Sequence, residues 1–154
     1  MKTLIVYYSR TNVTEQIAKQ IQEKLDCDIE KITDGGKYDG KIGYIKGGMN
    51  ASMGRTSPIN PISKNPSDYD IVIVGTPVWA SSIATPVNTY LINYRDQIKK
   101  MASFCTCISG GYDKTLEKMA IISQKTQLAQ MHLTADDVKI PTEKINNFIH
   151  QIYK

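Results

Sequence analysis

Apolar residues recur along the chain with two spacings. Leu4-Ile5-Val6-Tyr7-Tyr8 and Ile71-Val72-Ile73-Val74 are continuous, partly β-branched runs, the pattern of strands buried on both faces. Shorter runs at Cys27–Ile32, Met101–Ile108 and Leu128–Leu133 read as further strands. Between them the spacing changes to three and four. Val13, Ile17, Ile21 and Leu25 form one helical stripe, with Asn12 and Glu15 placed to make a capping box at its start. Val87, Tyr90, Leu91, Tyr94 and Ile98 form a second. Leu116, Met119 and Ala120 follow Asp113 as a candidate cap, and Ile145, Phe148, Ile149 and Ile152 mark the last helix. Residues 35–66 show no helical stripe and read as a glycine-rich stretch followed by a loop with Pro58, Pro61 and Pro66. Strands alternating with helices predict an α/β fold, a doubly wound five-stranded parallel sheet with helices on both faces, as a single domain over 1–154.

Composition narrows the class. The 154 residues, 41% hydrophobic and 22% charged, suit a globular protein. The longest apolar runs are of strand length, which excludes a membrane-spanning helix. Met1-Lys2-Thr3 leads directly into the first strand, and Cys27, Cys105 and Cys107 are odd in number with no C-x-x-C pair. A cytoplasmic protein with reduced thiols is the expectation. The net charge of +4 is concentrated: Lys37, Lys41, Lys46, Arg55 and Lys64 face one acid, Asp39, within 37–64, and the rest of the chain is balanced. Seven of the ten glycines lie in or just before this segment. The scattered charges carry no nucleic-acid motif, so the basic excess is either a solvated loop or a site for a small or protein anion.

In an open parallel sheet the ligand lies at the carboxyl ends of the strands, near the point where strand order reverses. Three loops occupy those ends. The first, Ser9-Arg10-Thr11-Asn12-Val13-Thr14, lacks the G-x-G-x-x-G dinucleotide fingerprint and places three hydroxyls at a helix N-terminus. Such hydroxyls either cap the helix or, with its free N–H groups, hold a phosphate. The second, Thr76-Pro77-Val78-Trp79-Ala80, carries the only tryptophan on a loop stiffened by Pro77. That ring either stacks on a planar ligand or folds back onto the core. The third, Ser109-Gly110-Gly111-Tyr112, allows close backbone approach.

Together the three loops resemble those of the flavodoxin family. Residues 5–18 are similar to its FMN-phosphate signature: an apolar strand, the hydroxyl of Ser9, Thr14 five positions on and Ala18 four beyond. Asn12 departs from the small residue the family prefers, but asparagine tolerates the left-handed conformation such a turn uses. The resemblance spans the chain and implies strand order 2-1-3-4-5 and FMN as cofactor. It implies that the second loop borders the isoalloxazine ring and that the third meets its pyrimidine edge, with Tyr112 either covering the ring or lining the start of the following helix. Segment 35–66 is its least ordinary part: it either folds over the ring, bringing Lys46 and Arg55 to a phosphate or quinone, or covers the sheet edge.

The function implied is electron transfer through bound FMN to a redox partner protein. The alternative is an NAD(P)H-dependent oxidoreductase acting on a quinone or other small acceptor, which the absence of Asp and Glu from residues 75–95 and the basic charge make plausible. A flavin needs no acid or base from the protein, so no catalytic residue and no metal ligand is assigned; nucleic acid and membrane are not expected as partners. Gly35-x-x-x-x-Gly40-Lys41 approximates a phosphate-binding P-loop, but Ile42 stands where Ser or Thr would hold magnesium. A phosphorelay receiver is excluded because Ser9, Arg10, Gly75 and Thr76 occupy its acidic positions. His132 and His150 read as isolated structural residues, and Cys105 and Cys107 as core.

Overall fold

The computed structural model describes residues 1–36 and 38–154; Lys37, counted above in the basic segment, lies outside the described residues. The elements run β1 (Thr3–Tyr7), α1 (Val13–Leu25), β2 (Asp28–Lys31), α2 (Gly40–Ser52), β3 (Ile71–Trp79) and β4 (Ser82–Ile83). They continue with α3 (Thr85–Tyr94), β5 (Lys100–Thr106), α4 (Tyr112–Ser123), β6 (Gln127–Leu133), α5 (Ala135–Lys139) and α6 (Thr142–Ile152). Five strands are parallel in the order β2-β1-β3-β5-β6, the arrangement expected, and β4 adds a short antiparallel partner to the end of β3.

The continuous apolar runs are explained by burial on both sides. Ile5, Tyr7, Ile71, Ile73 and Phe104 pack with Ile17 and Ile21 of α1 and with Ile145, Phe148 and Ile152 of α6. Leu4, Val6, Val72, Val74 and Met101 face the other way, toward Val87, Tyr90 and Leu91 of α3 and Leu116 and Met119 of α4. Successive strand residues thus serve opposite layers. Gly75 on β3 is required by this packing, because a Cβ there would occupy the Phe104 ring.

Four local expectations are corrected. Residues 76–79 are strand, not loop: Thr76 and Pro77 pair with Cys105 and Thr106, and Val78 and Trp79 pair with Ile83 and Ser82. The turn between β3 and β4 is only Ala80-Ser81, with φ of 49° and 57°. A two-residue turn with both centres at positive φ matches strand twist but normally uses Asn or Gly, so it left no sequence signal. The second correction is α2, a helix where a loop was read. Its buried positions Gly43, Gly47 and Ala51 recur every four residues, so its inward stripe is made of residues too small to register as apolar.

Third, the capping box of α1 does not form. Asn12 sits at φ 68° with no side-chain cap bond, and the Glu15 N–H donates instead to Ser9 Oγ at 3.2 Å. The Glu15 carboxylate is engaged elsewhere, accepting from Tyr7 Oη at 2.6 Å and Lys31 Nζ at 3.2 Å, which holds its pKa below the usual range. Fourth, Gly111 rather than Asp113 caps α4. Beyond α2 the chain returns over α3 and reaches the β2 edge. Ser57 N–H donates to Thr89 Oγ1, and Glu30 on β2 accepts from the N–H and Oγ of Ser63, both at 2.6 Å. The stretch after α2 therefore does cover a sheet edge.

Candidate functional site

The carboxyl ends of β1, β3 and β5 converge on a cleft of about 370 Å³, within the roughly 300–1,000 Å³ usual for small-molecule sites. The first loop forms one end. Arg10, Thr11, Val13 and Thr14 line the cleft; Ser9 and Asn12 shape the loop from outside it. Intrahelical bonding in α1 begins with Gln16 N–H donating to the Asn12 carbonyl, and Glu15 N–H is taken by Ser9. The N–H groups of Asn12, Val13 and Thr14 thus have no partner among the described residues, as the start of a helix requires. With the helix dipole they make this end of the cleft chemically suited to an anion. Thr14 is buried, and its hydroxyl is 2.7 Å from that of Thr106 on β5.

The second expected group divides. Pro77, Val78 and Trp79 line the cleft, whereas Thr76 and Ala80 do not. Thr76 is wholly buried; its hydroxyl accepts from the Ala84 N–H at 3.1 Å and donates to the Pro77 carbonyl, closing the hairpin. Trp79 is only 7% exposed. Its ring meets Tyr8 and Tyr38 edge-on, with centroids 5.5 and 5.0 Å away, beneath Gly47 of α2. The tryptophan therefore belongs to the core cluster as well as to the cleft wall.

Ser109, Gly110, Gly111 and Tyr112 stand beyond the lining residues. A Cβ on Gly110 would meet open space, but one on Gly111, at φ 82°, would crowd Ser81 and Val78 at 2.9–3.0 Å. The close approach that Gly111 permits is to the β3–β4 turn. Tyr112 opens α4 and lies flat on His132, with ring centroids 3.8 Å apart and planes within 4°. His132 is not isolated as expected: Lys144 Nζ is 3.4 Å from its Nε2 and is itself held by Asp137 at 2.8 Å. Burial, then the Lys144 charge, lowers the His132 pKa.

Six lining residues escaped the sequence reading: Tyr44, Thr106, Cys107, Ile108, Ala135 and Val138. Tyr44 comes from the unrecognised α2, and the Arg10 guanidinium rests over its ring at 5.0 Å. Cys107 lies at the cleft wall rather than in the core, its thiol pKa raised by burial. Ala135 and Val138 follow Thr134, and the Thr134–Asp137 capping box was a readable signal for that helix. Lys46 and Arg55 do not line the cleft. Among the described residues Arg10 is its only charged lining side chain, so one end offers N–H donors and a guanidinium while the far wall is Pro77, Val78, Trp79 and Ile108. A smaller groove of about 280 Å³ adjoins it, between Ile45, Gly48 and Met49 of α2 and the β3–β4 turn.

Among the described residues no helix is long and apolar enough to cross a membrane. Solved structures share this fold over nearly the whole chain. A flavoprotein from Lactobacillus acidophilus, crystallised in complex with FMN, is 22% identical with a TM-score of 0.71, covering 92% of this chain and 97% of that one. Two oxidised flavodoxins of Bacillus cereus are 20% and 18% identical with TM-scores of 0.60 and 0.57, covering 99% and 97% of this chain and 98% of each of theirs. No curated protein sequence is significantly similar. The profile of the flavodoxin family matches residues 2–152. With the strand order 2-1-3-5-6 and the cleft at its switch point, the chain is therefore a member of the flavodoxin family.

Proposed function

We propose that the chain binds FMN in the cleft described above and serves as an electron-transfer flavoprotein. The observation that carries this reading is the pairing of two unlike ends in one cavity. The unpartnered N–H groups at Asn12–Thr14 suit a phosphate, and the uncharged wall of Pro77, Val78, Trp79 and Ile108 suits a planar apolar ring. FMN has that composition, and when bound it supplies reversible uptake of one or two electrons. The protein's own groups position it. Asn12 in the left-handed conformation aims the N–H groups, Arg10 adds positive charge beside them, and Thr106 orients the Thr14 hydroxyl. Trp79, fixed by Tyr8 and Tyr38, presents a rigid surface and keeps water from one side.

Flavin fluorescence quenching tests this. FMN is expected to bind at least about 100-fold more tightly than riboflavin, since charge-assisted hydrogen bonds contribute roughly 1.5–3 kcal/mol each. Equal affinities would remove the phosphate site, and an absence of quenching would remove the flavin.

A second reading, an NAD(P)H-dependent oxidoreductase acting on a quinone or another small acceptor, has one specific support: no carboxylate lines the cleft among the described residues, so an anionic donor meets no repulsion there. Mixing the FMN-loaded protein with NADPH without oxygen separates the two. Rapid loss of the yellow colour favours the reductase, and persistent colour the carrier.

A further inference from the structure

Helix α2 is built inside out. Its inward positions are Gly43, Gly47 and Ala51, while Ile42, Ile45 and Met49, with Met53 at its C-cap, are each more than half exposed. Their offsets of three, seven and eleven residues from Ile42 put all four on one outward ridge. A water-facing helix normally has the reverse arrangement, and an exposed apolar ridge of this length marks an interaction surface.

Three observations identify what it meets. First, the ridge borders the candidate site: Ile45 and Met49 line the groove beside Val78, Trp79 and Ala80, and Tyr44 of the same helix lines the cleft itself. Second, Lys41 and Lys46 are exposed on α2, and Arg55 is exposed just beyond it. Third, segment 37–64 holds the entire net charge of +4 with a single acid, Asp39. An apolar centre within a basic rim is complementary to an apolar patch within an acidic rim.

We infer that the outer face of α2 is the docking surface for an acidic electron-transfer protein, which it seats beside the cleft. The class of partner rests on the redox reading above; the sign of its charge rests on α2 alone. Such encounters are small and short-lived, and electrostatic steering raises their association rate.

The test is binding, measured by calorimetry on the FMN-loaded protein with two probes: an oxidised, carboxylate-rich [2Fe–2S] ferredoxin and the basic protein cytochrome c. The ferredoxin is expected to bind the more tightly, with affinity falling as salt rises. Lys41→Glu with Lys46→Glu should weaken it about tenfold, and Ile42→Glu should weaken it with unchanged circular dichroism, since an acid in the first turn suits the helix dipole. FMN affinity should be unaffected in both variants. Preference for cytochrome c, or no discrimination between the probes, overturns the inference. So does a dimer that Ile42→Glu dissociates in sedimentation, which makes the ridge a self-association face. Adsorption to vesicles containing phosphatidylserine, abolished by the same variant, overturns it in favour of a lipid surface. Loss of FMN by the wild-type chain would instead defeat the proposed function, and the ferredoxin titration would still read the surface.

Discussion

The hydroxyls of Thr14 and Thr106 meet at 2.7 Å, joining the start of α1 to the end of β5 across 92 residues of sequence. Both side chains are buried, and both line the cleft. The bond fixes where the loop after β1 stands relative to the wall formed by β5. Replacing Thr106 by Val keeps the shape and leaves the Thr14 hydroxyl unpaired. The expected cost is about 1–3 kcal/mol, the penalty for an unsatisfied buried group, read from urea midpoints. FMN affinity should fall several-fold, and Thr106→Ser should restore both quantities.

Two glycines of α2, Gly43 and Gly48, are expected to respond with opposite sign. Gly48 has no neighbour nearer than the Ala80 Cβ at 4.0 Å, so Gly48→Ala should stabilise by about 0.5–1 kcal/mol through helix propensity. Gly43→Ala would gain the same propensity but drive a Cβ into the Tyr38 backbone. Overpacking of that kind costs about 1–3 kcal/mol, so a net loss is expected. Thermal melts of the two variants decide it: equal shifts would mean that α2 does not press on Tyr38.

Gly111→Ala meets two penalties. The left-handed backbone costs a non-glycine residue about 1–2 kcal/mol, and the new Cβ would stand 3.0 Å from the Ser81 Cα. Because Ser81 lies in a turn already at φ 57°, relief by movement is restricted. A fall in stability of about 2 kcal/mol or more is expected in chemical denaturation. Gly110→Ala, facing open space, should be near neutral.

Asp137 accepts hydrogen bonds from Lys144 Nζ, from the Thr134 N–H and from Thr134 Oγ1. The Lys144 ammonium foremost, then the Thr134 N–H, brings its pKa down from 3.8 to about 2. A carboxyl depressed on folding contributes stability that is complete above its unfolded value and lost as pH falls through its folded one. Wild-type stability should therefore decline between pH 4 and pH 2 more steeply than that of Asp137→Asn. Urea midpoints across that window, at constant ionic strength, give the comparison; parallel curves would mean that Asp137 forms no such bonds in solution.

The pattern of apolar residues was enough to place β1, α1, β2, the first half of β3, α3, β5, α4, β6 and α6. For those elements the signal and the cause coincide: large side chains at a period of two or 3.6 are the ones buried against the sheet. The parallel sheet followed from their alternation and the strand order from the resemblance, and the loop after β1 was legible from Ser9, Thr14 and Asn12, whose left-handed turn the structure contains. Where burial uses small residues, the pattern is silent. Helix α2 went unread because glycines face the core and isoleucines and methionines face water, and Tyr44 was lost with it.

What a side chain does once several elements meet is decided only in three dimensions. Thr76 and Trp79 were read as loop residues bordering a ligand, with packing on the core as the alternative for Trp79, and Tyr112 as either covering that ligand or lining the start of a helix. Pairing of β3 with β5 and β4 turns the first two into strand, where the Thr76 hydroxyl closes the hairpin and Trp79 packs on Tyr8 and Tyr38, while Tyr112 stacks on His132. The layers, and the end of the sheet at which to look for a site, were readable from the amino-acid order, because those depend on local periodicity and chain order. The tertiary structure alone decided which residues wall the cleft and that α2 turns an apolar ridge outward, because both depend on contacts between segments far apart in the chain.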